Sequence, residues 1–371
     1  MTIFNVPLDE LRTRGTIKWQ RFEPDVLPMF VAEMDAHIAA PVRERLERAL
    51  RESDTGYPQL PVYQEAYADF SAHEWDWHFD PADAMLVADV VSGMREAVLT
   101  FSEPGDKVLI NPPVYPPFGI AGHAGESREV VSIPLTEGGR LDLPAMEQAF
   151  AEHRPAVYLL CSPHNPTGAV HTVDELRAVA DMADTYGVTV VVNEIHAPIT
   201  GPKHTPYLKA NPDAQALIIT SASKSWNLAA IKAALIIGPA ELRRQFPPMV
   251  SDSASYFGIL AHTAALLEGR DWLRQASREV AENKAFFAEE LHRQIPQLSY
   301  TPSEGTYLAW VDCSPLGLEL PGRDFHDVGR VRFSFGQEFG PDSVQFVRVN
   351  LASSREIITE GIRRMAKTLV S

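Results

Sequence analysis

The fold is decided by residues 156–196, AVYLLCSPHNPTGAVHTVDELRAVADMADTYGVTVVVNEIH, in which two apolar runs flank a helical pattern. The runs, 156–161 and 188–192, are short and rich in valine and leucine. Runs of this kind are typical of parallel strands that are buried on both faces of a sheet. Because parallel strands need a crossover connection, the segment between them predicts one βαβ unit and an α/β fold.

The helix of this unit has recognisable ends. Thr172 with Glu175 three residues later matches a capping box, in which each residue satisfies a free backbone N–H at the helix start. Leu176 and Val179 begin an apolar stripe at helical spacing. Gly187 follows the last periodic residue and predicts the end of the helix.

The flanking sequence divides the chain into two parts. Further strand-like runs lie at 85–90, 106–110 and 216–220. The C-terminal part instead has a long amphipathic helix at 274–293, strand-like runs at 305–311 and 344–351, and a last helix at 355–369. We predict a large domain over 45–275, and a small α+β domain formed by 1–44 and 276–371.

Composition excludes several classes of protein. The chain has 371 residues and a formal charge of −16, with 33 Lys and Arg against 49 Asp and Glu. An excess of negative charge disfavours nucleic acid and anionic membranes as partners. No apolar run approaches the roughly 20 residues of a membrane helix, and the N-terminus does not resemble a signal peptide. With two cysteines, Cys161 and Cys313, we expect a cytoplasmic protein with reduced thiols.

Polar and aromatic residues follow the predicted strands. In open α/β sheets, ligands bind outside the carboxyl ends of the strands, so these residues should share one edge. We expect no metal ligands among them. In chain order they are Ser92, Gly93, Met94, Tyr115, Asn165, Asn193, His196, Ser221, Ser223 and Lys224.

Lys224 is the most informative of these residues. It follows an apolar strand and lies among three serines. A desolvated lysine has a lowered pKa and can act as a nucleophile that forms a Schiff base. The nearby hydroxyls and the turn at Gly93, at the start of a helix, suit a phosphate group. A phosphate beside such a lysine indicates pyridoxal 5′-phosphate (PLP) as cofactor.

The chain resembles fold-type I PLP enzymes of the class I/II aminotransferase superfamily, and more narrowly the MalY/PatB-type cystathionine β-lyases, also called C–S lyases. The resemblance runs nearly end to end and implies a mostly parallel, seven-stranded sheet in the large domain. The motifs that carry it are RTRGTIKW (12–19), LPMFVAEMD (27–35), TGYPQLP (55–61), NPPVYPPF (111–118), SPHNPTG (162–168), EIH (194–196), SASKSWN (221–227), EGTYLAWVD (304–312) and FVRVNLA (346–352).

The resemblance also implies roles for single residues. Lys224 would bind the cofactor covalently and move protons, and Tyr115 would stack on its ring and face the substrate. Asn165 would bind the 3-oxygen of the cofactor, whereas His196 would have either a proton-transfer or a supporting hydrogen-bonding role. Phosphate would be held by Ser92, Gly93, Met94 and Ser221, and Ser223 would also belong to the cofactor site.

Two further implied roles concern the substrate and the oligomer. Arg348 would bind the substrate carboxylate through two parallel hydrogen bonds. Tyr57 would reach the phosphate of a neighbouring subunit, which implies a homodimer with shared sites.

The chain departs from the family at four positions. Phe30 and Glu33 stand where tryptophan and aspartate are usual, and Trp226 stands where phenylalanine is common and should reshape a pocket wall. The serious departure is Asn193, in NEIH where the family has DEIH. The aspartate pairs with the protonated pyridine nitrogen, and asparagine carries no charge to enforce that protonation.

The resemblance implies α,β-elimination from L-cystathionine or related cysteine S-conjugates, giving a thiol, pyruvate and ammonia. Cystathionine would give homocysteine, a step of methionine biosynthesis. Two alternatives stay open. One is an aminotransferase on the same fold, and the other is a weakly active PLP-binding regulatory protein, which Asn193 alone favours.

Overall fold

The computed structural model describes residues 2–58, 61–123 and 127–369, so that Gln59 and Leu60 of the TGYPQLP motif lie outside the described residues. The chain forms two compact units. The larger unit comprises Ile38–His164 and Ala169–Leu273, and the smaller unit comprises Met1–His37, Asn165–Gly168 and Arg274–Ser371. The domain boundaries predicted at 44/45 and 275/276 stay predictions.

The strands are β1 (Leu27–Pro28), β2 (Ala84–Val87), β3 (Lys107–Ile110), β4 (Glu129–Ser132), β5 (Val157–Cys161), β6 (Thr189–Asn193), β7 (Ala216–Thr220), β8 (Ala234–Ile237), β9 (Leu308–Asp312), β10 (Val331–Arg332), β11 (Ser334–Phe335) and β12 (Phe346–Asn350). The α-helices are α1 (Leu8–Arg12), α2 (Ile17–Gln20), α3 (Ala40–Glu52), α4 (Val62–Trp75), α5 (Val90–Phe101), α6 (Pro117–Gly122), α7 (Leu143–His153), α8 (Val173–Tyr186), α9 (Ala197–Thr200), α10 (Tyr207–Ala210), α11 (Ala240–Arg243), α12 (Tyr256–Glu268), α13 (Arg270–Gln294), α14 (Pro321–Asp327) and α15 (Arg355–Thr368).

The larger unit is built on a seven-stranded sheet in the order β2-β8-β7-β6-β5-β3-β4. The pairs from β7 to β4 are parallel, and β8 is antiparallel to both of its neighbours, β7 and β2. Two reversals cancel, so β2 runs in the same direction as β7. The carboxyl ends of β2, β7, β6, β5, β3 and β4 therefore share one edge, which confirms the predicted α/β class and its mostly parallel sheet.

The central strands are apolar on both faces because both faces are covered. Every residue of β5, β7 and β8 is buried. Helix α5 packs on this sheet at Gly93, where a Cβ atom would lie 3.0 Å from Cγ2 of Ile219. The glycine thus brings the first turn of α5 directly onto β7.

The βαβ unit forms as predicted. Helix α8 begins after Thr172, whose hydroxyl accepts a hydrogen bond from the Glu175 amide at 3.2 Å. The Glu175 carboxylate accepts one from the Thr172 amide at 2.7 Å, which completes the capping box. The helix ends at Gly187, which has a left-handed conformation with φ of 71°.

The smaller unit is an α+β structure. Its antiparallel sheet has the order β11-β12-β9, and β1 pairs in parallel with β10. Helix α15 packs its apolar face, including Ile358 and Ile362, into a core that contains Val347 and Val349 of β12. Among the described residues, the helices are too short or too polar to span a lipid bilayer.

Replacing Thr172 with alanine should lower the free energy of unfolding by about 1 kcal/mol, because one N-cap acceptor at α8 is lost. Urea denaturation followed by circular dichroism measures this change. Thr172→Ser is the matched control, since it keeps the hydroxyl. An alanine variant as stable as the serine variant would show that the hydroxyl at position 172 does not stabilise the protein.

Candidate active site

The carboxyl end of β2 leads into the N-terminus of α5, where Asp89 is the N-cap. Its carboxylate accepts a hydrogen bond from the Ser92 amide at 2.8 Å and pairs with the Lys232 ammonium at 2.7 Å. Burial raises the pKa of Asp89, but Lys232 and the Ser92 amide outweigh burial and lower it overall. Lys232 thus compensates a negative charge that would otherwise oppose an anion at this helix N-terminus.

Asn193 is the last residue of β6 and is buried. Its Oδ1 accepts a hydrogen bond from the Ile195 amide at 3.1 Å. Its Nδ2 donates to Sδ of Met94 in α5, at 3.6 Å. The structure therefore brings together Asn193 and Met94, two of the predicted site residues. The nitrogen end of the Asn193 amide faces α5.

The turn after β7 carries Ser221, Ser223 and Lys224. The buried hydroxyl of Ser221 donates to the carbonyl of Ala233 at 2.7 Å and accepts from the Ser223 amide at 3.1 Å. These bonds hold the turn against β8. Lys224 is half-buried on the same turn, close to the end of a fully buried strand.

Trp226 does not form a pocket wall, so this expectation was wrong. Its side chain is completely buried, its indole N–H donates to the carbonyl of Gly269 at 2.9 Å, and its ring lies edge-on to Phe70. The tryptophan is part of the core because its one polar atom finds a backbone partner there.

Three other predicted residues lie in the larger unit. Tyr115 is half-buried just before α6, and its carbonyl accepts a hydrogen bond from the Phe118 amide at 2.9 Å. His196 is buried at the start of α9. The side chain of Tyr57 is fully exposed in the single chain. The roles of these residues stay predictions.

Two buried polar pairs that the sequence analysis did not identify lie in the larger unit, and one of them contacts the carboxyl end of β7. The Tyr67 and Thr220 hydroxyls lie 2.9 Å apart, and the Tyr63 hydroxyl lies 3.2 Å from Nδ1 of His262. Burial lowers the pKa of His262 to about 4, so its ring is neutral at pH 7. These partners are distant in sequence, and no local pattern identifies them.

In the smaller unit, Arg348 lies on β12 and is buried. Its guanidinium donates to Oδ1 of Asn165, the carbonyl of Phe30 and the hydroxyl of Ser334, each at 3.0 Å. It also lies over the ring of Phe339, 4.8 Å from its centroid. The structure thus places Arg348 and Asn165 in contact. The sequence analysis missed Ser334, which faces Arg348 in the register of β11 and β12.

The donor set of the larger unit fits PLP. A half-buried lysine follows a buried strand, hydroxyls and a helix N-terminus suit a phosphate, and a buried amide lies at the end of the central strand. A half-buried tyrosine supplies an aromatic face.

The family model of aminotransferases of class I and II matches residues 35–367. The chain belongs to this family.

Within the family, the similar proteins include C–S lyases. A Mycobacterium leprae protein with the provisional name cystathionine β-lyase is 40% identical, covering 98% of this chain and 97% of its own. The cystathionine β-lyase of Corynebacterium glutamicum is 32% identical, covering 98% of this chain and 99% of its own. A solved structure from Corynebacterium diphtheriae, provisionally named a PLP-dependent β-cystathionase, is 33% identical with a TM-score of 0.94 and covers 100% of both chains.

Proposed function

We propose that this protein is a PLP-dependent C–S β-lyase. It cleaves L-cystathionine or a related cysteine S-conjugate, with one water, to a thiol, pyruvate and ammonia. The observation that carries the proposal is the end-to-end match to the cystathionine β-lyase of C. glutamicum, at 32% identity. The half-buried Lys224 supports it, because it follows β7, and Ile219 of that strand lies against Gly93 in the first turn of α5. A PLP enzyme needs such an amine together with a phosphate site.

In this proposal, the site residues predicted from the sequence hold the cofactor. The start of α5 and the turn after β7 bind phosphate, Tyr115 covers the ring, and His196 and Asn193 lie near it. Asn165 binds the 3-oxygen. When bound, PLP withdraws electrons from the α-carbon of the substrate. Nζ of Lys224 takes the α-proton, and Arg348 binds the α-carboxylate.

The protein acts as a cytoplasmic homodimer in this proposal. Tyr57 reaches the phosphate of the neighbouring subunit. The full exposure of its side chain in a single chain supports this role, because a side chain that reaches another subunit must be accessible in the lone chain.

Incubation with L-cystathionine in the absence of any keto acid tests the reaction. The wild-type protein should release thiol and pyruvate in equal amounts, whereas Lys224→Ala should release neither. Borohydride should fix the cofactor to the wild-type chain and not to the variant. Turnover that requires an added keto acid would identify an aminotransferase instead.

Arg348→Ala should raise KM for cystathionine and leave the cofactor content near normal. Loss of a charge-assisted bidentate contact costs about 1.5–3 kcal/mol, or roughly 10- to 150-fold in kcat/KM. Steady-state kinetics measure the change. Arg330→Ala is the control, since Arg330 pairs with Asp25 at the surface of the same unit. An unchanged kcat/KM would exclude Arg348 as the carboxylate ligand.

Asn193 is the feature that favours the regulatory alternative. An aspartate could keep the hydrogen bond from the Ile195 amide and place a second oxygen where Nδ2 now lies. Its negative charge would favour a protonated pyridine ring in this buried setting.

Asn193→Asp should therefore raise the elimination rate by at least about tenfold, or about 1.4 kcal/mol in the barrier. The measurement is pyruvate release at saturating cystathionine, with cofactor content determined for each protein. Asn193→Ala serves as the control, since it removes the amide without adding charge. If the aspartate variant matches the wild-type rate, ring protonation does not limit this enzyme.

A further inference from the structure

The proposed function leaves unexplained the motif residues Lys18 and Asp35, which form an ion pair inside the smaller unit. Nζ of Lys18 lies 2.8 Å from Oδ2 of Asp35, and each side chain is only 1% exposed. Oδ1 of Asp35 accepts a hydrogen bond from the Trp19 indole at 3.2 Å, and Oδ2 accepts one from the Ser353 hydroxyl at 2.7 Å. Both charges are therefore compensated within the protein.

A buried ion pair is a costly way to stabilise a fold. Desolvation of the two charges offsets much of their attraction, and an apolar pair of similar size is often as stable. We therefore looked for a role of the Lys18–Asp35 pair other than stabilising the fold, and its hydrogen-bond partners indicate a role in positioning.

The pair holds residues 29–35 along strand β12. Nζ of Lys18 also donates to the carbonyl of Glu33, at 3.1 Å. That carbonyl and the carbonyl of Val31 accept hydrogen bonds from Nδ2 of Asn350 at 2.6 and 2.8 Å. The backbone is paired at both ends of the segment, from Asn350 to Met29 and from Asp35 to Ala352.

Arg348 depends on the same segment. The carbonyl of Phe30 accepts hydrogen bonds from Nη2 of Arg348 at 3.0 Å and from the Ser334 hydroxyl at 2.9 Å. A carbonyl can hold a guanidinium in one orientation only if its own peptide is fixed. The fixed residues 31–35 supply that constraint.

We propose that the Lys18–Asp35 ion pair positions Arg348 to bind the α-carboxylate of the substrate. This inference rests on the proposed function, in which Arg348 is the carboxylate ligand. The contacts use backbone carbonyls at positions 30 and 33. This explains why Phe30 and Glu33 can replace the usual tryptophan and aspartate without disturbing them.

The test uses the holoenzyme and a ligand pair that differ only at the carboxylate. L-Alanine and L-alaninamide are titrated while the absorption of the bound cofactor is followed, which gives a Kd for each. The variant Lys18→Met/Asp35→Asn removes both charges together and keeps an acceptor for Trp19. Its Kd for L-alanine should rise at least about fivefold, and its Kd for L-alaninamide should stay within about twofold.

Three further measurements separate positioning from a general loss of structure. In an Arg348→Ala background, the double substitution should leave the Kd for L-alanine unchanged. Asn350→Ala should reproduce the selective loss, since it releases residues 31–33 while the ion pair remains intact. Asp25→Asn, which breaks a surface pair in the same unit, should alter neither Kd.

The outcomes are distinguishable. Equal changes for both ligands, no change for either, or an undiminished effect in the Arg348→Ala background would overturn the positioning role. If the double variant does not fold, the Asn350→Ala result decides by the same criteria. A wild-type protein that binds PLP and both ligands but releases no thiol from cystathionine would instead contradict the lyase proposal. Wild-type protein that does not bind PLP would overturn both.

Discussion

Burial of the central sheet on both faces determines where the chemistry of the larger unit can lie. Every residue of strands β5, β7 and β8 is buried, so a polar side chain within them would need a partner inside the core. Polar groups therefore collect where the strands end. Because the reversals at β8 cancel, six of the seven strands described in this sheet have their carboxyl ends at one edge. Asn193 is the last residue of one of these strands, and Lys224 lies on the turn that follows another.

The same constraint explains why the sequence predicts this part of the molecule well. Apolar runs, the capping box at Thr172 and the glycine after α8 are local signals, and each appears in the structure as expected. Strand β8 was not predicted as an element. Its run ALII is short, and an apolar run shows neither its direction nor its place in the order.

The sequence alone does not identify side-chain partners that come from distant segments of the chain. Arg348 could be selected from the FVRVNLA motif, but Ser334 and Phe30 become its partners only through strand pairing and a segment over 300 residues away in the chain. For Trp226, the sequence analysis predicted surroundings that the structure does not show. Its family context indicated a pocket wall, whereas the Gly269 carbonyl, 43 residues later, makes the core a satisfactory place for its indole.

Charge balance at the start of α5 bears on what this edge can bind. The Asp89 carboxylate caps the helix and is kept ionised, so the site would repel phosphate without the Lys232 ammonium. Asn193 on β6 contacts Met94 of α5. Because it has an amide where aspartate has a carboxylate, it adds no second negative charge near this helix. In the proposed lyase, this neutral amide would favour a protonated cofactor ring less than a carboxylate would. Elimination would tolerate that difference better than transamination would, because a thiolate is a good leaving group at the β-carbon.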